Sequence, residues 1–208
     1  PREVEKEVTF LNYELKSSWG QQAYGTEQKK EEQNHTFFNR LIEGIEVSYS
    51  YKFVPAKPVK SVVTEVEIST VLESPGAWKK EITLVERSKQ GDKFTISFPL
   101  DIGAIQKAGA QIGADLGTGS SSSNITLKAL VHVRAKTEAG TIVEEDFVQT
   151  VGVRPKGALL EWDRGLGLFQ GGYQKGLKWE HQGSFGYAIS LKPSPLDDPS
   201  ATLDSLLS

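Results

Sequence analysis

Between Ile45 and Phe53 the chain alternates strictly. Ile45, Val47, Tyr49, Tyr51 and Phe53 fall on one side; Glu46, Ser48, Ser50 and Lys52 fall on the other. A period of two residues is that of a β-strand buried on one face and wet on the other. The same period returns at residues 94–100 and 125–135, and once more in Phe185, Tyr187, Ile189 and Leu191. One-sided strands build antiparallel sheets. The predicted fold class is therefore mainly β: an antiparallel, immunoglobulin-like β-sandwich of about seven to eight strands.

Other stretches are less regular. Residues 4–15 read as a strand whose apolar face slips by one, from Val8 and Phe10 to Leu11, Tyr13 and Leu15, the mark of a β-bulge. Residues 20–34 are polar and read as a solvated loop. Phe37, Phe38, Leu41 and Ile42 then have the spacing of a short helical turn. Pro55 and Pro58 end the strand that starts at Ile45, because proline cannot donate to a ladder. Val62, Val66, Ile68 and Leu72 share a face of the next strand, and Ile82 and Leu84 point inward after Trp78. Ile102, Ile105, Ala108, Ile112 and Leu116 follow the helical period. That predicts one short crossing helix, capped by Asp101 and weakened by Gly109 and Gly113, by about 1 kcal/mol each. A glycine- and serine-rich loop precedes the strand at 125–135, and Phe147, Val151 and Val153 mark the strand that returns to Pro155.

From residue 156 the texture changes. Eight glycines lie between Gly157 and Gly186, interleaved with Trp162, Phe169, Tyr173 and Trp179. The expected organisation is a β-sandwich domain over residues 1–155 and a Gly/aromatic-rich extension with a terminal strand over 156–208.

Composition narrows the function classes. The net charge of 208 residues is −3, and lysine and arginine are spread without a basic stripe. Nucleic-acid binding needs such a stripe, so no nucleic-acid partner is expected. Cysteine is absent, which removes disulfides, thiol catalysis, zinc fingers and iron–sulfur clusters together. Methionine is absent too, and the chain begins at Pro1. A removed signal peptide or anchor explains that start; a trimmed boundary explains it equally. Two sequons, at Asn34 and Asn124, are candidate glycosylation sites and favour the cell exterior. No apolar run approaches the roughly 18 residues of a membrane helix, so a membrane would be met only through an anchor outside this chain.

Candidate chemistry is sparse. His35, His132 and His181 have no metal-ligand spacing. Glu144, Glu145 and Asp146 are adjacent, so on a strand they point to alternating faces and do not converge. Asp197 and Asp198 lack the further oxygens calcium needs. The glycines of residues 165–171 miss the dinucleotide-loop spacing, and Ser120 to Ser123 have no activating base. The reading is of a protein that is not an enzyme and holds no cofactor or metal. Trp162, Tyr173 and Trp179 form the alternative, a ligand platform whose aromatic faces stack on sugars.

One resemblance adds to this. The run Phe37-Phe38-Asn39-Arg40-Leu41-Ile42 leading into 45–53, then Gly76-Ala77-Trp78-Lys79-Lys80-Glu81 and residues 94–101, resembles a domain-of-unknown-function family of archaeal and bacterial membrane-anchored surface ectodomains. It covers about two-thirds of the chain and brings no catalytic residues. It implies an extracellular or cell-surface structural protein whose partner is another copy or another surface protein. Residues 183–193 look like the strand that opens domains of that family, yet they stand near the C-terminus. Phe185, Tyr187, Ile189 and Leu191 are therefore a candidate segment for donation to a neighbouring subunit, which would build a filament. The alternative function is a carbohydrate- or ligand-binding module using the C-terminal aromatics.

Overall fold

The computed structural model describes residues 5–8, 35–38, 42–118, 124–156, 159–163 and 166–191. Within them the alternating segments become long strands. These are β3 (Ile42–Pro55), β4 (Val59–Ser74), β5 (Trp78–Gln90), β6 (Lys93–Pro99), β7 (Asn124–Thr137), β8 (Ile142–Lys156) and β11 (Leu177–Leu191). The remaining strands are β1 (Glu5–Val8), β2 (His35–Phe38), β9 (Leu159–Trp162) and β10 (Gly167–Gln174), and one helix, α1, spans Ile102–Asp115. Sheet A runs β1-β11-β3-β6, with β10 also paired to β11; sheet B runs β2-β9-β8-β7-β4-β5. All pairings are antiparallel. The molecule is an antiparallel β-sandwich, as the alternation predicts, and its described residues hold one helix and eleven strands rather than seven or eight.

The core lies between the sheets. Sheet A contributes Val47, Tyr49 and Tyr51 from β3, Phe94 and Phe98 from β6, and Phe185, Tyr187 and Ile189 from β11. Sheet B answers with Val66, Ile68 and Leu72 from β4, alternate residues of β7 from Ile125 to Ala135, and Phe147, Val151 and Val153 from β8. Register brings like to like: Tyr49 stands between Phe185 and Ile96, and Tyr51 lies opposite Phe94. Burying each such large side chain contributes about 1.5–3 kcal/mol.

Three expectations need correction. First, β9, β10 and β11 are built into both sheets, and β11 lies between β3 and the pair β1 and β10. The glycine-rich region is thus part of the sandwich, and residue 155 is no boundary between separately paired units. Glycine serves close packing there: a Cβ on Gly172 would overlap the Trp179 indole, and one on Gly183 would press on Gln149, Phe147 and Tyr49. Second, Phe37 and Phe38 belong to β2, opposite Leu160 and Leu159 of β9, and not to a helical turn. Pairing with a neighbouring strand overrides local spacing.

Third, the buried stripe of α1 is Ile102, Ile105, Gly109 and Gly113, whereas Leu116 is exposed. The two buried glycines are positions that a purely apolar count misses. Asp101 does cap it, its Oδ1 accepting from Ala104 N–H at 2.9 Å. At the far end Gly117 takes a positive φ, while Thr118 N–H reaches Gly113 O and Gly117 N–H reaches Ala114 O, a Schellman termination. The strand expected over residues 4–15 is described only as β1, and its bulge lies outside the described residues.

Candidate functional site

Two polar arrangements stand out, one between the sheets and one on an open face. The first centres on His181, wholly buried at an inward position of β11. Its Nδ1 lies 2.6 Å from the Tyr51 hydroxyl, and its Nε2 lies 2.7 Å from Glu145 Oε2. Trp179 Nε1–H also donates to that carboxylate oxygen, at 2.5 Å. The Phe147 ring stacks on the imidazole with centroids 4.9 Å apart. Burial, with smaller contributions from Tyr49 and Glu145, pushes the Tyr51 phenol well above its ordinary pKa, so it keeps its proton. The arrangement that satisfies every group has Tyr51 O–H donating to Nδ1 and Nε2–H donating to Glu145.

This network joins β3 and β11 of sheet A to β8 of sheet B. Both ring nitrogens are used, so its evident work is to lock the two sheets in register. Alternation along β8 sends Glu145 inward while its neighbours turn out: Glu144 pairs with Arg134 at 3.2 Å and Asp146 contacts His132 at 2.6 Å. The three acids do not converge, as the strand period requires.

The second arrangement is the outer face of sheet A. Antiparallel register places Lys93, Lys52, Gln182 and Phe169 in one row across β6, β3, β11 and β10. The adjacent row is Thr95, Ser50, Ser184 and Gly167. A row of long side chains therefore stands beside a row of short ones, forming a shallow ledge of about 250 Å³. Ser50 and Thr95 share a hydrogen bond of 2.9 Å on its floor. Phe169 is 56% exposed, and Tyr173, four residues on along the same face of β10, is 67% exposed.

Charge distinguishes the two outer faces. On sheet B several charged side chains meet opposite partners: Arg87 with Glu65 and Glu67, Lys128 with Glu81 at 3.1 Å, and Arg154 with Asp163 at 2.6 Å. On sheet A, Lys52 lies directly opposite Lys93, and neither has an ion-pair partner among the described residues. Like charges placed opposite one another destabilise a sheet, so this pair is not explained by folding. Glu180, the carboxylate two positions along β11, is held by Gln182 Nε2 at 2.7 Å.

The residues singled out by sequence fall in different places. Trp162 is fully buried, stacked on Tyr187 at 4.2 Å, and Trp179 is only 6% exposed beside Phe53 and His181. Neither offers a face to a sugar, so Trp162, Tyr173 and Trp179 do not form a platform. Tyr173 is exposed, and its companion is Phe169. Phe185, Tyr187 and Ile189 face the core, and β11, through Leu191, pairs with β3 in its own chain. Asn124 is exposed at the first residue of β7, while Asn34 lies outside the described residues. The described residues contain no cluster of three or more metal-ligating side chains, and no helix among them is long and apolar enough to cross a membrane.

Sequence reasoning named His181 and Glu145 without joining them, and passed over the Lys52–Lys93 pair. Parity could have placed the first two inward, since His181 is in phase with Phe185 and Tyr187, and Glu145 with Phe147. The lysines are 41 apart in the chain, and only register unites them. No family model, no curated protein and no solved structure matches this chain.

Proposed function

We propose that this chain is a non-enzymatic recognition module of a surface protein, presenting the outer face of sheet A to its partner. The observation that carries the reading is the contrast between the two outer faces. Sheet B pairs many of its charges across strands, whereas on sheet A two facing lysines have no ion-pair partner among the described residues and stand beside exposed Phe169 and Tyr173. Unmatched charge and exposed aromatic surface both cost stability or solubility unless a partner uses them. Placement at the cell exterior belongs to the same proposal and draws on the sequon at Asn124, exposed at the start of β7.

Recognition through a face is better supported than assembly by donation of β11. In its own chain β11 is hydrogen-bonded on both sides, to β3 on one and to β1 and β10 on the other. Donating it would empty the middle of sheet A. Light scattering after size exclusion separates the readings. A discrete species near 22.9 kDa is expected, and a ladder of larger masses would favour assembly instead.

The recognition reading itself is tested on a glycan array of mixed neutral and acidic chains. Binding by the parent protein that disappears in the Phe169→Ala/Tyr173→Ala double variant supports it. Binding unchanged by that variant would remove this face from consideration.

A further inference from the structure

Resting on that reading, we infer that the ledge on sheet A binds an acidic sugar residue within a polysaccharide, its carboxylate or sulfate held by Lys52 and Lys93. The charge is specified by register: two exposed lysines stand directly opposite one another on adjacent strands, and neither has a described acidic partner. An anion placed between them relieves their repulsion and gains two charge-assisted hydrogen bonds. The sugar is specified by the rest of the row. Gln182 supplies an amide, Ser50 and Ser184 supply hydroxyls on the floor, and Phe169 supplies an apolar ring at the far end.

Size and shape argue for one residue of a longer chain. Four strands at about 4.8 Å spacing make the ledge about 14 Å wide. Its volume of about 250 Å³ falls below the ~300–1,000 Å³ usual for pockets that enclose a whole small molecule. A shallow site bordered by small side chains lets a polymer enter and leave along the sheet. Ser48 and Ser97 continue the low surface on the side away from the lysines. Tyr173, beyond Gly171 on β10, offers a second ring to the same polymer.

The test is calorimetric titration with uronate-, sialate- and sulfate-bearing oligosaccharides, their neutral counterparts, and inorganic phosphate. An acidic oligosaccharide should bind, with its neutral counterpart at least about tenfold weaker. Lys52→Gln and Lys93→Gln should each cost about tenfold, Phe169→Ala should also weaken binding, and added salt should weaken it because the charges are exposed. Lys93→Glu is the control for folding, since it replaces a like-charge pair by an opposite one and should bind least while remaining folded. Equal binding of acidic and neutral chains, insensitive to the lysine variants, would overturn the inference and leave the recognition reading standing. Phosphate binding as tightly as the oligosaccharide would overturn it in favour of a bare anion site. Absence of binding to every oligosaccharide would overturn both.

Discussion

Tyr49 and Tyr51 are two residues apart on one strand, both face the core, and they should respond oppositely to loss of the hydroxyl. Tyr51 O–H donates to His181 Nδ1 at 2.6 Å, deep between the sheets. Tyr51→Phe keeps the ring against Phe94 and Phe147 but leaves a buried ring nitrogen without its donor. An orphaned buried acceptor costs about 1–3 kcal/mol. Tyr49 O–H is buried with no hydrogen-bond partner among the described residues. Its ring packs against Phe185 at 4.8 Å, and Tyr49→Phe keeps that contact. Removing an unpaired buried hydroxyl should be neutral or stabilise by about 1 kcal/mol. In a domain of this size 1 kcal/mol moves Tm by about 2–4 °C. Thermal and urea unfolding should therefore show Tyr51→Phe lower by about 4–8 °C for a loss near 2 kcal/mol, and Tyr49→Phe unchanged or higher, with similar m-values. Losses of equal size in both variants would refute the assignment of Tyr51 to a structural network.

The same phenols set the alkaline limit. Burial raises both above their ordinary value, so the unfolded chain loses these protons first. Their contribution is full below about pH 10 and falls as pH rises beyond it; urea midpoints between pH 9 and 11 should decline, less steeply in Tyr49→Phe. On the acid side, the Ser69 hydroxyl at 2.6 Å and then Lys128 hold the Glu81 carboxyl below its usual range. That contribution is present above the ordinary carboxylate pKa and lost as pH falls through the folded value. Ser69→Ala should move the Glu81 titration, followed by carboxyl NMR, upward; an unmoved titration would show that Ser69 is not the main cause. Gly183→Ala places a methyl against three buried side chains and should destabilise by about 1–3 kcal/mol in urea unfolding, whereas Gly91→Ala meets open space and should change little.

Much of this fold is legible in the order of residues because burial on one face of a sheet imposes a period of two. β3, β7 and the second half of β11 announce themselves through Tyr49, Leu127 and Phe185 and their alternate neighbours. The period fails where an inward position carries a polar side chain. His181 and Glu145 satisfy each other across the sandwich, so neither needs to be apolar, and each looks like an interruption in its strand. Size hides other positions. Gly172 and Gly183 in sheet A are inward because nothing larger fits, and Gly109 and Gly113 are on the buried stripe of α1, yet glycine carries no hydrophobic signal. Trp162 and Trp179 were legible as important aromatics but not as buried ones, since their cover comes from β11, β3 and β10. The ledge is least legible of all. Lys52, Lys93, Gln182 and Phe169 share a row only through the register of three antiparallel pairings.

Recognition through the outer face of sheet A is tested most directly by following backbone amide resonances while the acidic oligosaccharide panel is added. Changes should concentrate on Ser50, Lys52, Lys93, Thr95, Phe169, Gln182 and Ser184, and be lost in Lys93→Glu. Changes confined to the ion-paired face around Lys128, His132 and Arg134, or no changes with any sugar, would contradict the account.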